Sequence, residues 1–417
     1  MKPGHHFSYQ GEWLYCEQVP LADIAARAGT PCYVYSRAAI LERFRAYELG
    51  LGDLPHMVCY AVKANSNLAV LRLLAQAGAG FDVVSGGELY RVRKAGGEAD
   101  RVVFSGVGKT AEEIEYALEE GIRYFNVESE EELRLIDALA ARLRVRPRVA
   151  LRVNPDVEAQ THPYVATGLS QHKFGIPIAQ AFGIWQRAAA LPNIALEGLS
   201  CHIGSQLLDP GPILAAADAL LELVGRLRAL NFSVAMLDLG GGLGVAYRPD
   251  EPAPDIGSFV AGIRHKLEGS NLFVILEPGR SIVAEAGVLL TRVLYRKRTD
   301  SKEFVVVDAA MNDLIRPALY QSYHEILPVR AVARPPILAD VVGPVCESGD
   351  YLARDRRVAN VLPGDLLAVG NAGAYAFVAA SNYNSRPRPP EVLVEGESWR
   401  IVRSRERYED LIRGENA

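Results

Sequence analysis

Between residues 56 and 281 short apolar runs alternate with longer amphipathic segments, and this rhythm constrains the fold more than any other feature of the chain. Eight runs read as strands: HMVCYAVK, GFDVVS, RVVFSG, YFNVES, RVALRVNP, ALEGLSCHIG, SVAMLDLGGG and FVILEPGR. Helical patterns such as NLAVLRLLAQAG, TAEEIEYALEEG, EEELRLIDALAARL and GPILAAADALLELVGRLRAL lie between them, and Thr110 with Glu113 supplies a capping box. Strands that alternate with helices pair in parallel. Eight such units predict a closed (β/α)8 TIM-type barrel, an α/β fold. A doubly wound open sheet is the alternative, but its first strand would carry a GxGxxG turn, and this one carries Lys63.

At 417 residues the chain exceeds one barrel, which takes about 250. Segments 304–308 (FVVVD), 337–345 (ILADVVGPV) and 366–370 (LLAVG) read as strands of a β-rich second domain, to which PCYVYS near the N-terminus adds. The expected division is a barrel over 37–285 and a β-rich domain from 1–36 and 286–417. Residues 154–175 break the alternation with Gly, Pro and polar residues, and a loop that long inside a domain is usually functional, often a lid.

Composition narrows the function classes. With 45 basic against 50 acidic residues and a net charge of -5, a nucleic-acid binder relying on a basic face is disfavoured. No apolar run approaches a membrane span, and MKPGHHFSYQGEW has no signal-like apolar core, so a cytoplasmic protein is expected. The five cysteines (Cys16, Cys32, Cys59, Cys201, Cys346) are scattered without CxxC or zinc spacing, which fits reduced thiols and no metal site.

Chemically loaded residues fall at the carboxyl ends of the expected strands, where barrels collect catalytic groups. Lys63 ends the first and Asp82 lies in the second. His202, Gly204 and Ser205 follow the sixth, Gly240 to Gly242 follow the seventh, and Glu277 to Arg280 end the eighth. A lone lysine closing a strand is ordinarily a surface group, but amines desolvated between apolar neighbours become nucleophilic toward carbonyls. The run LDLGGGLG offers backbone N–H groups without side chains, suited to a phosphate, although a tight turn explains it equally well. Glu277, stiffened by Pro278 and Gly279, either pairs with Arg280 or another base, or holds a pyridine nitrogen protonated. His202, between Cys201 and Ile203, reads alone as a core histidine, and Cys346 alone as an inert thiol.

The strings CYAVKAN, GFDVVSGGEL, NPDVEAQTHPYVATGLSQHKFG, HIGSQ, LDLGGGLG, EPGR, CESGD and GAYAF stand here in the order found in diaminopimelate decarboxylases. From about residue 30 to about residue 385 the chain resembles that family of pyridoxal-phosphate enzymes, which have the alanine-racemase-like fold. The resemblance implies that Lys63 carries pyridoxal 5'-phosphate, that His202 stacks on its ring and that Glu277 partners its nitrogen. Ser205, Gly241, Gly242 and Arg280 match phosphate-side and substrate-side contacts, with Asp82 and Gly279 also in the cofactor site. Arg316 and Tyr320 match substrate-carboxylate and hydroxyl contacts, Cys346 the proton donor and Glu347 the reader of the distal amino group. Tyr375 matches a residue touching both phosphate and substrate. At all these positions the chain follows the family pattern.

The implied activity is decarboxylation of meso-2,6-diaminopimelate to L-lysine and CO2, the last step of lysine biosynthesis. A homodimer is implied too, with Cys346 and Glu347 entering the site of the partner. An ornithine, arginine or carboxynorspermidine decarboxylase would share the cofactor machinery. Arg280 and Arg316 favour a substrate with a distal carboxylate, whereas a diamine-forming enzyme would place an acidic residue there. A racemase would avoid full protonation of the ring, which Glu277 promotes. A non-catalytic relative would be expected to lose Lys63 or Cys346, and both are present.

Overall fold

Each of the eight apolar runs forms a strand in the computed structural model, which describes residues 6–157 and 173–416. Barrel strands one to eight are His56–Ala61, Gly80–Val83, Val102–Phe104, Tyr124–Val127, Arg148–Asn154, Ala195–Ser200, Met236–Asp238 and Phe273–Leu276. They pair in parallel in that order. Ile275 opposite Met57 joins the eighth to the first, and the sheet closes into a TIM-type barrel.

Strand periodicity sorts the barrel interior into two layers. Met57, Cys59, Val103, Tyr124, Ala150, Met236 and Ile275 pack together as an apolar layer. Successive inward positions lie two residues apart along a strand. One step towards the carboxyl ends, those positions hold Ser105, Asn126, Arg152, Asp238 and Glu277, all buried and all polar. Gly80 leaves room below for Cys59 and Met57, since a Cβ there would lie 2.8 Å from the Cys59 sulfur. Asp82, two residues on, is fully buried in the polar layer. A barrel built only for stability would continue the apolar pattern, because each unpaired buried polar group costs roughly 1–3 kcal/mol.

The helices begin at the same end. Asn67, Ser85, Thr110 and Ser129 cap the helices after strands one to four, each accepting a backbone N–H within the first turn. The capping box at Thr110 and Glu113 is present. Each cap contributes about 1 kcal/mol and fixes where its strand-to-helix loop must end.

The chain divides into two units, one comprising Arg43–Val245 with Pro252–Ser281, the other Met1–Glu42, Ala246–Glu251 and Ile282–Ala417. The second is rich in sheet. Its long strand Gly287–Arg298 pairs with Cys32–Ser36, Glu303–Val307 and Leu366–Val369, so the segment PCYVYS does join this sheet. Glu391–Glu395 then adds in parallel on the other side of Cys32–Ser36. Val34, Val288, Leu290, Ala368, Val392 and Val394 meet in its core with Phe7 and Leu14 from a small N-terminal sheet. Among the described residues, no helix is long and apolar enough to cross a membrane.

Candidate active site

Strand one runs straight into a single 3-10 turn, Val62–Ala64, that carries Lys63 between two buried neighbours. The Tyr60 hydroxyl donates to Asn65 O at 3.0 Å, and Asn65 Oδ1 accepts from Asn67 N, so the turn is tied down on both sides. Ala61 pairs with Asp82 across the first two strands, which sets the two side chains at one height. Lys63 Nζ forms an ion pair with Asp82 Oδ2. The other oxygen of Asp82 is buried without a hydrogen-bond partner among the described residues.

Three carboxyls share this end of the barrel. Asn126 Nδ2 donates to Asp238 Oδ2 at 2.8 Å and lies 3.3 Å from Glu277 Oε1, while Asp238 Oδ1 also accepts from Gly240 N. Burial pushes Glu277 well above the ordinary carboxyl range. The charges of Asp238 and Asp82 push the same way, and Lys63 only partly offsets them. Burial also pushes Asp238 upward, against its hydrogen bonds to Glu277, Asn126 and Gly240. Such a group of acids has less positive charge beside it than it could use.

The glycine run is required by backbone proximity. Glu277 N donates to Gly240 O at 2.7 Å, and a Cβ on Gly241 would sit 2.2 Å from Glu277 O. Gly240 and Gly242 both have positive φ, +64° and +111°, so a side chain at either would be strained as well as crowded. The Gly241 N–H donates to His202 Nδ1 at 3.3 Å, so that nitrogen presents its lone pair. Burial, then the nearby charges of Arg152 and Lys63, hold His202 well below its usual range, so it is neutral. Arg280 Nη2 donates to Ser205 Oγ at 3.0 Å. A Cβ on Gly279 would come within 3.0 Å of Ala61 and Ala64, so only glycine lets EPGR pass beneath the Lys63 turn.

The structure therefore brings Lys63, Asp82, His202, Ser205, Gly241, Gly242, Glu277, Gly279 and Arg280 to one end of the barrel. Arg316, Tyr320, Cys346, Glu347 and Tyr375 belong to the sheet-rich unit. There Arg316 opens the short helix Arg316–Tyr320, its guanidinium 4.9 Å from the Tyr247 ring centre. Cys346 is exposed, and its N–H donates to Asn384 Oδ1 at 3.0 Å. Asp350 accepts the N–H groups of Met311 and Val345 at 2.7 Å each, which shapes the CESGD turn. The neighbouring Glu347 carboxylate pushes the Tyr383 hydroxyl above its ordinary range. Tyr375 adopts positive φ, +53°, which costs roughly 1–2 kcal/mol for an L-residue with a side chain.

Several residues had no place in the sequence reading. Asp238, Asn126 and Ser105 support Glu277, and their signal was polarity at inward positions of otherwise apolar strands. Arg152 forms a buried ion pair with Glu128 at 2.6 Å, and Glu128 also accepts Gly175 N at 2.9 Å. Most of the expected lid, residues 158–172, lies outside the described residues.

The profile of the family described as "Pyridoxal-dependent decarboxylase, pyridoxal binding domain" matches residues 37–284. The chain is 55% identical over 410 residues to a diaminopimelate decarboxylase of Pseudomonas aeruginosa, covering 98% of each. It is 50% identical to that of Vibrio cholerae, covering 97% of each. The structure of diaminopimelate decarboxylase from Helicobacter pylori complexed with L-lysine superposes with a TM-score of 0.90 at 42% identity, over 94% of this chain and 98% of that one. The structure of the diaminopimelate decarboxylase from M. jannaschii gives a TM-score of 0.94 at 37% identity, over 99% of this chain and 98% of that one.

Proposed function

The chain belongs to the pyridoxal-dependent decarboxylases, and we propose that this carboxy-lyase converts meso-2,6-diaminopimelate to L-lysine and CO2. Pyridoxal phosphate is its cofactor, and the residues fit it on their own chemistry. Buried carboxyls at Glu277, Asp238 and Asp82, one with an unpartnered oxygen, suit a group that brings a cationic N–H. The glycine backbone at 240–242 and the Arg280 guanidinium suit its anionic end. When bound, it supplies an electron-poor ring that accepts the electron pair left by the departing carboxylate.

The observation that carries this reading is the cluster at the barrel end, with Lys63 on Asp82 beside a strongly perturbed Glu277. Lys63 holds the cofactor through its amine, and Asp82 keeps that amine anchored at the strand end. Glu277, steadied by Asn126 and Asp238, would hold the proton that the bound ring needs. Ser205, Gly241, Gly242 and Arg280, with Tyr375, would hold the phosphate, and the neutral His202 would take the ring. Cys346 Sγ delivers a proton to the carbon that has lost CO2. Arg316, with Tyr320 and Arg280, reads the carboxylates of the substrate, and Glu347 its distal ammonium.

A diamine-forming decarboxylase is the second reading, and the guanidiniums at Arg280 and Arg316 count against it. The test is CO2 release from meso-diaminopimelate, ornithine and arginine with added pyridoxal phosphate. The meso-diaminopimelate kcat/KM is expected to exceed the others on the order of 10³-fold or more, because sites built around polar groups reject analogues that lack the partner. Comparable rates with ornithine would assign the chain to the other branch.

The working unit in this proposal is a cytoplasmic homodimer serving the last step of lysine biosynthesis, with a barrel domain over 37–285 and a β-rich domain from 1–36 and 286–417. Cys346 and Glu347 of one subunit complete the barrel site of the other, a reading supported by the exposure of Cys346 and its place some 280 residues after Lys63. An isologous two-fold pairing would complete two sites at once. Mixing inactive Lys63→Ala and Cys346→Ala subunits is expected to restore up to about a quarter of wild-type activity, since half of random dimers are mixed and each has one intact site. Proven subunit exchange without recovery would mean that each chain builds its own site.

A further inference from the structure

We propose that His324 is a positioning residue for Arg316, fixing the plane in which that guanidinium meets the substrate's distal carboxylate. The inference rests on the reading of Arg316 given above. His324 is fully buried, and Arg316 is nearly so. Arg316 Nε–H donates to His324 Nε2 at 3.3 Å. A guanidinium has donors only, so Nε2 must offer a lone pair and the ring proton sits on Nδ1. Nδ1 lies 2.8 Å from Gly370 O, which can only accept. Both contacts therefore select one neutral tautomer, with no freedom left to the ring.

The histidine is itself held from several directions. Its carbonyl accepts from Arg356 Nη1, and the Arg356 guanidinium lies 3.7 Å from the Tyr323 ring centre. The Tyr247 ring meets His324 edge-on, 5.3 Å between centres at 75°, and the same Tyr247 ring carries Arg316 at 4.9 Å. Arg316 Nη2 donates to Ser322 Oγ at 3.3 Å. With Nε held by His324, Nη2 by Ser322 and the planar face by Tyr247, rotation about the last bonds of Arg316 is suppressed. A planar fork pairs bidentately with a carboxylate only in one orientation, so a fixed plane turns a diffuse positive charge into a selective reader. Protonated His324 would offer a second cation in place of the acceptor, which the geometry forbids.

The test compares three substitutions in the full-length protein loaded with pyridoxal phosphate. His324→Phe keeps the ring and loses both nitrogens. His324→Asn keeps a donor for Gly370 O but loses the acceptor. His324→Gln restores an acceptor at the depth of Nε2. The first two are expected to raise KM for meso-diaminopimelate on the order of tenfold, with kcat within threefold and cofactor affinity unchanged. His324→Gln is expected to recover most of that loss. A folded Phe or Asn variant with KM within twofold of wild type would overturn the proposal. So would parallel losses of kcat, KM and cofactor affinity, the mark of a merely structural role. Arg316→Ala in the same series separates the premises: if it too leaves KM unchanged, the reading of Arg316 has failed and takes this inference with it.

Discussion

Replacing Lys63 by alanine is expected to abolish turnover and the visible absorbance of bound cofactor together. Lys63 stands on a one-turn helix pinned by Tyr60 and Asn65, so its amine is delivered to one place, and no other described lysine occupies that turn. Two properties are lost at once in the alanine variant, a nucleophilic amine and the cation facing Asp82. Lys63→Arg separates them. It keeps a positive charge for the buried carboxylate but offers no nucleophile, and it is expected to be as inactive as the alanine variant while retaining more of the wild-type thermal stability. Borohydride should fix cofactor to the wild-type chain and to neither variant. Turnover within tenfold of wild type in Lys63→Ala would remove the cofactor assignment altogether.

The second large effect belongs to Glu277. Glu277→Gln is expected to bind cofactor and lose rate on the order of 10²- to 10³-fold, because a preorganised charge partner of the reacting group is removed. Its carboxyl is raised by burial, then by Asp238 and Asp82, so the native chain without cofactor binds a proton here that the unfolded chain has released above pH about 4. Stability from this group therefore falls as pH rises from the unfolded value towards the raised folded one. Glutamine removes that fall. Cofactor-free Glu277→Gln should melt no lower than cofactor-free wild type at pH 8, with any advantage shrinking towards pH 5. An unchanged kcat would exclude the proposed partnership with the ring nitrogen.

The barrel was legible because parallel strands covered on both faces leave long apolar runs, and all eight were found in place. The sheet-rich unit was less so. Its central strand, Gly287–Arg298, ends in LYRKR, where Tyr295 is exposed and the alternation is masked by charge. Only SIVAEA, with the short helix Arg280–Val283, separates it from EPGR, so its apolar start is hard to tell from the end of the barrel pattern. Residues at the strand ends were found because one chemically loaded residue per strand stands out. Asp238 and Asn126 do not stand out, since an acid before a glycine run reads as turn chemistry and an asparagine in YFNV as a polar interruption. Only the closed barrel reveals that strands four, seven and eight aim Asn126, Asp238 and Glu277 at one point. His324 was invisible for a different reason. Its importance lies in a tautomer, and no spacing rule encodes which nitrogen carries a proton.

The pairing of Cys32–Ser36 has a consequence for how the chain is made. This strand is buried along its whole length between Gly287–Arg298 and Glu391–Glu395. A ribosome adding roughly 5–20 residues per second would deliver the last of those partners some tens of seconds after the strand itself emerges. During that interval the barrel can close, since its last strand ends at Leu276, while CYVYS waits with both edges open until Gly287–Arg298 follows and with one edge open until Glu391–Glu395 does. The nascent chain thus spends its vulnerable period holding an apolar, β-prone segment outside any completed sheet, the profile of a client for chaperones.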